Sequence, residues 1–419
     1  MSAGTESTRT PAAALADPAR GRGAALALVS FATLLSLSVW FSTNAISDVL
    51  EMDKGFTTSS LAWATIAVQL GFVAGTFLIA LTNLSDLINA RTLFAASAVT
   101  AGLLNLAIIP IDGEATMIAV RFATGAMLAG VYPPAMKVIS GWFARGRGLA
   151  LGVMVGALTI GSGSPHLLRS FFADNWEAVI VGSSILAVIG GAVVRGFVKD
   201  GPHDVRGAKF APRYMLRMFT DRGPRLALFG YLGHMWELYA MWAWIGVFLA
   251  AVVSVQPLLA GRLDLASALT FAVFLAGAVA CPLAGMMAER IGRTYVTSLA
   301  MILSGGTALV IGFVPVSLAP LIVVLALVWG ASVIADSAQF STAVTELSEP
   351  EYRGTMLTFQ MGLGFALTAV TIWLVPVVQE AAGWGAAFAM LAIGPALGTA
   401  AMLILRRMPE ARMMAGGRG

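Results

Sequence analysis

The feature that most constrains this chain is a succession of twelve apolar runs. Each is about the 20 residues that a helix needs to cross a bilayer. They fall at 24–48, 59–82, 92–110, 115–141, 148–172, 176–198, 226–250, 265–288, 294–314, 318–344, 354–378 and 384–406. The charge-free stretch 294–335 is too long for one crossing, so it is divided at Pro315 and Pro320, where a helix cannot continue. In lipid every backbone group must be bonded within its own segment, which makes runs of this length helices. Composition agrees, with 58% hydrophobic and 11% charged residues, where a soluble domain carries about a quarter charged. A single cysteine excludes a disulfide framework, and three scattered histidines leave no metal scaffold. No cofactor is expected. The first run exceeds the 7–15 residues of a signal-peptide core, so it reads as a retained span.

Orientation follows from Lys and Arg, which gather on the cytoplasmic side of membrane proteins. With both termini inside, 22 of the 26 basic residues fall on that side. Lys54 and Arg262 fall on the far side, and Arg121 and Arg169 lie within spans. This bias accounts for the net charge of +4 without a nucleic-acid partner. The exported loops are too short for a receptor or enzyme domain. The organisation read here is a disordered tail at 1–23, a six-helix bundle at 24–198, a cytoplasmic loop at 199–225, a second bundle at 226–408 and a tail at 409–419.

The bundles repeat one design. Asp86 with Arg91 follows the second span, and Glu289 with Arg290 and Arg293 follows the eighth, an offset of 289 − 86 = 203. Arg147-Gly148 precedes the fifth span and Arg353-Gly354 the eleventh, an offset of 353 − 147 = 206. The first and seventh spans start 226 − 24 = 202 apart. These residues resemble the major facilitator superfamily over essentially the whole chain. Its loop signature, Gly-x-x-x-Asp/Glu-Arg/Lys-x-Gly-Arg-Arg, is matched at Gly285, Glu289, Arg290, Gly292 and Arg293. In the first copy only Asp86 and Arg91 remain. A span-four signature is matched at Arg121, Gly125 and Gly130, and a span-five glycine motif loosely at Gly152, Gly161 and Pro165. The resemblance implies twelve helices in two pseudo-symmetric six-helix bundles, with spans one, four, seven and ten lining a central cavity. It also implies alternating access. The loop residues Asp86, Arg91, Gly285, Glu289, Arg290, Gly292 and Arg293 would then gate the cytoplasmic face. An acid at one helix end can face the positive N-terminus of another, and the arginines can pair with acids of the opposite half.

Ionisable groups inside spans are costly and mark cavities or partners. Arg121, His234, Glu237 and Asp336 all lie on spans one, four, seven or ten. Trp40, Asn44, Tyr132, Tyr239 and Gln339 join them as candidate substrate and proton-site residues. His234 and Glu237 share one helix face at i, i+3. They read either as a coupled proton site or as a structural pair between helices. Arg121 reads either as a substrate anchor or as the ion-pair partner of Asp336 or Glu237. His166 and Arg169, late in span five, read either as functional or as reaching the interface. Of the aromatics on span seven, Tyr239 or Trp236 is the expected substrate contact.

The function expected is a secondary transporter for a small anionic or polar organic molecule, driven by protons bound at Glu237 and Asp336. A proton-coupled drug or metabolite exporter and an uncoupled uniporter are the alternatives. Spans two and eight carry no membrane-embedded Arg, whereas the nitrate-carrying families of the superfamily use one on each. No nucleophile set or phosphate-binding loop suggests an enzyme. A monomer in the inner or plasma membrane of a bacterial cell is the expected setting.

Overall fold

Local sequence sets many of the helix ends. Thr57 accepts the Ser60 N–H, Asn89 accepts that of Arg91, and Asn175 accepts that of Ala178. Each bond satisfies an amide that a helix start leaves free. The computed structural model describes residues 18–143, 147–202, 210–257, 259, 261–349 and 351–419, without the side chains of 18–20, 85, 86 and 147. The described residues form helices and contain no strand. In chain order these are α1 (Pro18–Ser36), α2 (Ser47–Met52), α3 (Thr58–Leu81), α4 (Leu84–Leu87), α5 (Ala90–Leu106), α6 (Glu114–Leu128), α7 (Tyr132–Trp142), α8 (Arg147–Phe171) and α9 (Trp176–Phe197). The second half holds α10 (Arg217–Thr220), α11 (Arg222–Ser254), α12 (Leu263–Ile291), α13 (Arg293–Ile311), α14 (Ala319–Ala335), α15 (Ser337–Leu347), α16 (Arg353–Leu391) and α17 (Ile393–Arg406).

Ten helical segments among these residues are long and apolar enough to cross a membrane. One of them, Arg353–Arg406, spans 54 residues and bends at Gly383, where φ is +79°. At about 1.5 Å per residue it is twice the length of one crossing. The shorter apolar helix Ala90–Leu106 lies where the third span is expected. The division at Pro315 also falls at a boundary: Val316–Leu318 is a 3-10 turn, and α14 begins at Ala319.

Three expected spans are not continuous. Span one breaks after Ser36 into 3-10 turns at Leu37–Val39 and Asn44–Ile46. Span four breaks between α6 and α7 just before Tyr132-Pro133-Pro134, and span ten breaks at Asp336. Residues 18–20 and 21–23, expected in a disordered tail, already belong to α1, and the end of the expected 199–225 loop is taken up by α10 and the start of α11. Arg9, Arg145, Arg206 and Lys209 lie outside the described residues, and so do the side chains of Arg20, Asp86 and Arg147.

Within the first half α3 packs on α6 and α5 on α9; within the second, α11 packs on α16 and α17, and α12 on α14. The halves meet along α8 with α12 and α3 with α16. Close approach at the first seam depends on missing side chains. A methyl at Gly156 would press on the Ala278 carbonyl, one at Gly152 on that of Cys281, and one at Gly285 on that of Gly148. The α8–α12 seam is therefore backbone against backbone over several turns, which suits helices that slide.

Candidate functional site

The break in span one is where the buried groups begin to sort themselves. Ending the helix at Ser36 frees carbonyls that have no partner further along the chain. Arg121, fully buried on α6, takes them: Nη1 donates to the Val39 carbonyl at 2.9 Å and to Ser42 Oγ at 3.2 Å, and Nη2 donates to the Trp40 carbonyl. Asn105 on α5 accepts from Ser42 Oγ at 2.6 Å and completes the nest. Among the described residues no carboxylate pairs with Arg121. Its expected ion pair with Asp336 or Glu237 is replaced by main-chain carbonyls of its own half.

The two acids lie in the other half. Glu237 on α11 accepts Ser304 Oγ at 2.8 Å and Trp329 Nε1 at 2.7 Å, which ties α11 to α13 and α14. His234 does not face Glu237. Its Nδ1 lies 2.9 Å from Asp336 Oδ1, with both side chains 1% exposed. The residue that faces His234 is thus Asp336, placed at the break between α14 and α15. Gln339, one turn on, accepts from Arg293 Nη1 at 2.8 Å, and Arg293 also holds Glu346 through two bonds of 2.7 and 2.8 Å.

The gating residues divide in the same way. Arg293 pairs within its own half, and so does Arg91, which grips Asp200 at 2.7 and 2.9 Å just after α9. The expectation that these arginines reach across is therefore corrected. The group that does reach across is Glu289, whose carboxylate lies against Gly148 in the first turn of α8. The positive end of that helix favours an acid there. Arg290 is exposed, and Gly292 turns the chain between α12 and α13 with φ +102°.

Opposite that contact, at the other end of α12, a cavity of about 360 Å³ opens between the halves. Its rim includes the exposed Glu51, Thr58 and Leu263, and its depth the buried Thr43, His166, Arg169 and Thr270. Asn44 and Thr65 line one wall; Trp244, Val247 and Trp384 line the facing one. Arg169 Nη2 donates to Asp48 Oδ2 at 2.9 Å. His166 is 4% exposed, follows Pro165 inside the continuous helix α8, and its Nε2 has no partner among the described residues. The short helix α2 supplies Asp48. The sequence signal for this site was the pair of ionisable groups late in span five.

Aromatic rings from both halves also meet one another. Trp40 lies 5.9 Å from Tyr239 and 5.8 Å from Phe365, and Phe41 lies 6.1 Å from Trp242 and 6.2 Å from Phe274. Tyr132, Tyr231 and Tyr239 border a separate chamber of about 50 Å³. Of the expected site residues, Asn44 lines the cavity, Tyr132 and Tyr239 line the chamber, and Trp40 packs among the rings. Trp236 instead lines an outer groove between α11 and α17. Arg121, His234, Glu237, Asp336 and Gln339 line none of these spaces.

A membrane-spanning all-helical chain with a polar cavity between two halves has the architecture of a secondary transporter. The chain belongs to the major facilitator superfamily, whose sequence profile matches residues 27–272. Solved structures give the same fold. A crystal structure of the nucleoside transporter NupG, in a point-mutant form, superposes with a TM-score of 0.69 at 14% identity over 91% of this chain and 99% of that one. The human organic anion transporter MFSD10 (TETRAN) superposes with a TM-score of 0.64 at 16% identity over 91% of this chain and 99% of that one. No curated protein matches in sequence. The protein is a multi-pass membrane transporter, not an enzyme.

Proposed function

We propose that this transporter moves a small polar organic molecule by alternating access and couples that movement to protons. The observation that carries the reading is the polar cavity of about 360 Å³ between the halves, with the buried Arg169 and His166 in its lining. By the orientation read from charge, it faces away from the cytoplasm. Residues 24–198 and 226–408 act as the two moving bodies, with 199–225 as their link. Opening the cytoplasmic side would part Glu289 from Gly148 and draw Trp40 and Phe41 away from Tyr239 and Phe365. The glycine seam of α8 and α12 lets the bodies shift without side chains locking.

His234–Asp336 and Glu237 are the groups assigned to proton movement. Buried carboxylates with no arginine beside them can exchange a proton as their surroundings change. The two structural neighbours are named for a nucleoside and for an organic anion, and fold alone does not choose between such cargoes. Both are small polar organic molecules, as this reading requires.

The test uses purified protein in liposomes that enclose a pH-sensitive dye. Organic anions, amino acids, nucleosides and hydrophobic cations are added singly, with Asp336→Asn and Glu237→Gln in parallel. Proton movement triggered by one compound and lost in Asp336→Asn supports coupled transport. Substrate movement without proton flux in any of the proteins makes this a uniporter or an exchanger of other ions. Which face of oriented vesicles must be acidified to drive accumulation separates import from export.

A further inference from the structure

The geometry points to a substrate that carries both charges side by side: a compact zwitterion of the α-amino-acid type, seated between Arg169 and Asp48. This inference rests on the transport reading above and names the cargo of that cavity.

The charge inventory comes first. The cavity is lined by two carboxylates, Asp48 and Glu51, against one guanidinium, Arg169, and one imidazole, His166. An anion bound at Arg169 would meet carboxylates that already exceed the positive charge. A cation bound at Asp48 would sit beside the guanidinium. A ligand with a carboxylate and an ammonium adds no net charge and can answer both groups at once.

The spacing comes second. The Asp48–Arg169 contact is 2.9 Å, made through one guanidinium nitrogen and one carboxylate oxygen. It is not the two-bonded clasp that such groups form when they serve only each other. Among the described residues Arg169 donates its side chain to Asp48 alone, and its side chain is 4% exposed against 31% for that of Asp48. The protein charges are adjacent, so the ligand charges that face them must be adjacent too. An α-amino acid meets that condition. Zwitterions with longer spacers place one charge beyond its partner.

The third observation is the His166 imidazole, buried at the same depth with Nε2 unpartnered. It supplies a further polar contact to a carboxylate held by Arg169. The indoles of Trp244 and Trp384 with Val247 leave an apolar wall for the rest of the molecule.

The experiment follows uptake into proteoliposomes of three matched compounds: phenylalanine, phenethylamine, which lacks the carboxylate, and 3-phenylpropionate, which lacks the amine. Leucine with its corresponding amine and acid forms a second series, and γ-aminobutyrate tests spacing. Uptake of an α-amino acid at least tenfold above its amine and acid is expected, with a tenfold or greater loss in Asp48→Asn and in Arg169→Gln. Asp48→Glu and Arg169→Lys keep the charges and guard against loss of folding, and each is expected to retain part of the uptake. Uptake of the acid alone, unchanged in Asp48→Asn, would overturn the inference and leave an anion transporter. If neither α-amino acid is carried while another compound of the broader panel is, the inference falls and transport stands. If no compound of any class moves, the transport reading falls with it.

Discussion

In the first half one buried charge, Arg121, is enclosed by carbonyls and a hydroxyl of its own bundle. In the second half the buried acids Glu237 and Asp336 are enclosed by an indole, a serine and one imidazole. A guanidinium stays charged under all ordinary conditions, so its contacts form a permanent brace across the break in span one. A carboxylate and an imidazole, unlike a guanidinium, can each exist charged or neutral. The first half is therefore built around a guanidinium that braces a helix break, and the second around two acids that tie α11 to α13, α14 and the α14–α15 break. The cavity lies between them and borrows from both: Arg169, His166 and Asp48 from the first half, Trp244 and Thr270 from the second.

Arg121→Leu tests the brace and should have the largest effect. It takes the guanidinium from the Trp40 carbonyl, at about 1–3 kcal/mol for an unpaired buried group, and leaves the Val39 carbonyl with only Ser42 Oγ at 3.2 Å. The expected outcome is loss of monodisperse protein in size-exclusion chromatography, with partial recovery in Arg121→Lys. Survival of Arg121→Leu with an unchanged melting temperature would place the strength of span one elsewhere. Asp336→Asn comes next. It should leave folding intact and reduce substrate-driven proton flux at least tenfold, as read by the internal dye. An equal loss in Arg121→Lys would erase the contrast between the halves.

Gly156→Leu should slow uptake severalfold, because its side chain would wedge against the Ala278 carbonyl where α8 meets α12. The readout is initial rate against binding of the same compound, and an effect on binding alone would argue against sliding at this seam. Glu237→Gln keeps one acceptor oxygen for two donors and should alter proton flux less than Asp336→Asn. The reverse order would make Glu237 the principal proton carrier. Ser304→Ala should be smallest, lowering stability by about 1 kcal/mol. Thermal melting in detergent measures it.

Much of this architecture was readable from residue order. Hydropathy located the runs, and Pro315 marked a real turn. The pairing of Glu289 with a helix start in the opposite half follows from the loop signature and helix electrostatics. The breaks at 37–46 and 129–131 were hidden, because Leu37-Ser-Val-Trp-Phe and Ala129-Gly-Val are as apolar as the helices around them. The break at Asp336 coincided with a visible charge, but nothing near it announced a break. The arginines of the loops were expected to bridge the halves, yet Arg91 is held by Asp200 at the start of the linking loop and Arg293 by Glu346 of its own bundle.

The sequence by itself determined the apolar character of the segments and the shortage of ionisable groups within them. Those properties are local and additive, since the cost of placing a residue in lipid depends mainly on that residue and its helix. Tertiary structure alone decided which charge meets which. Arg169 lies 121 residues from Asp48, and His234 lies 336 − 234 = 102 residues from Asp336. On each helix several faces were available to these side chains. Only the packing of α2 beside α8, and of the α14–α15 break beside α11, selected the partner. Burial makes that selection strict, because an unpaired charge in a dry interior costs far more than any exposed pair gains.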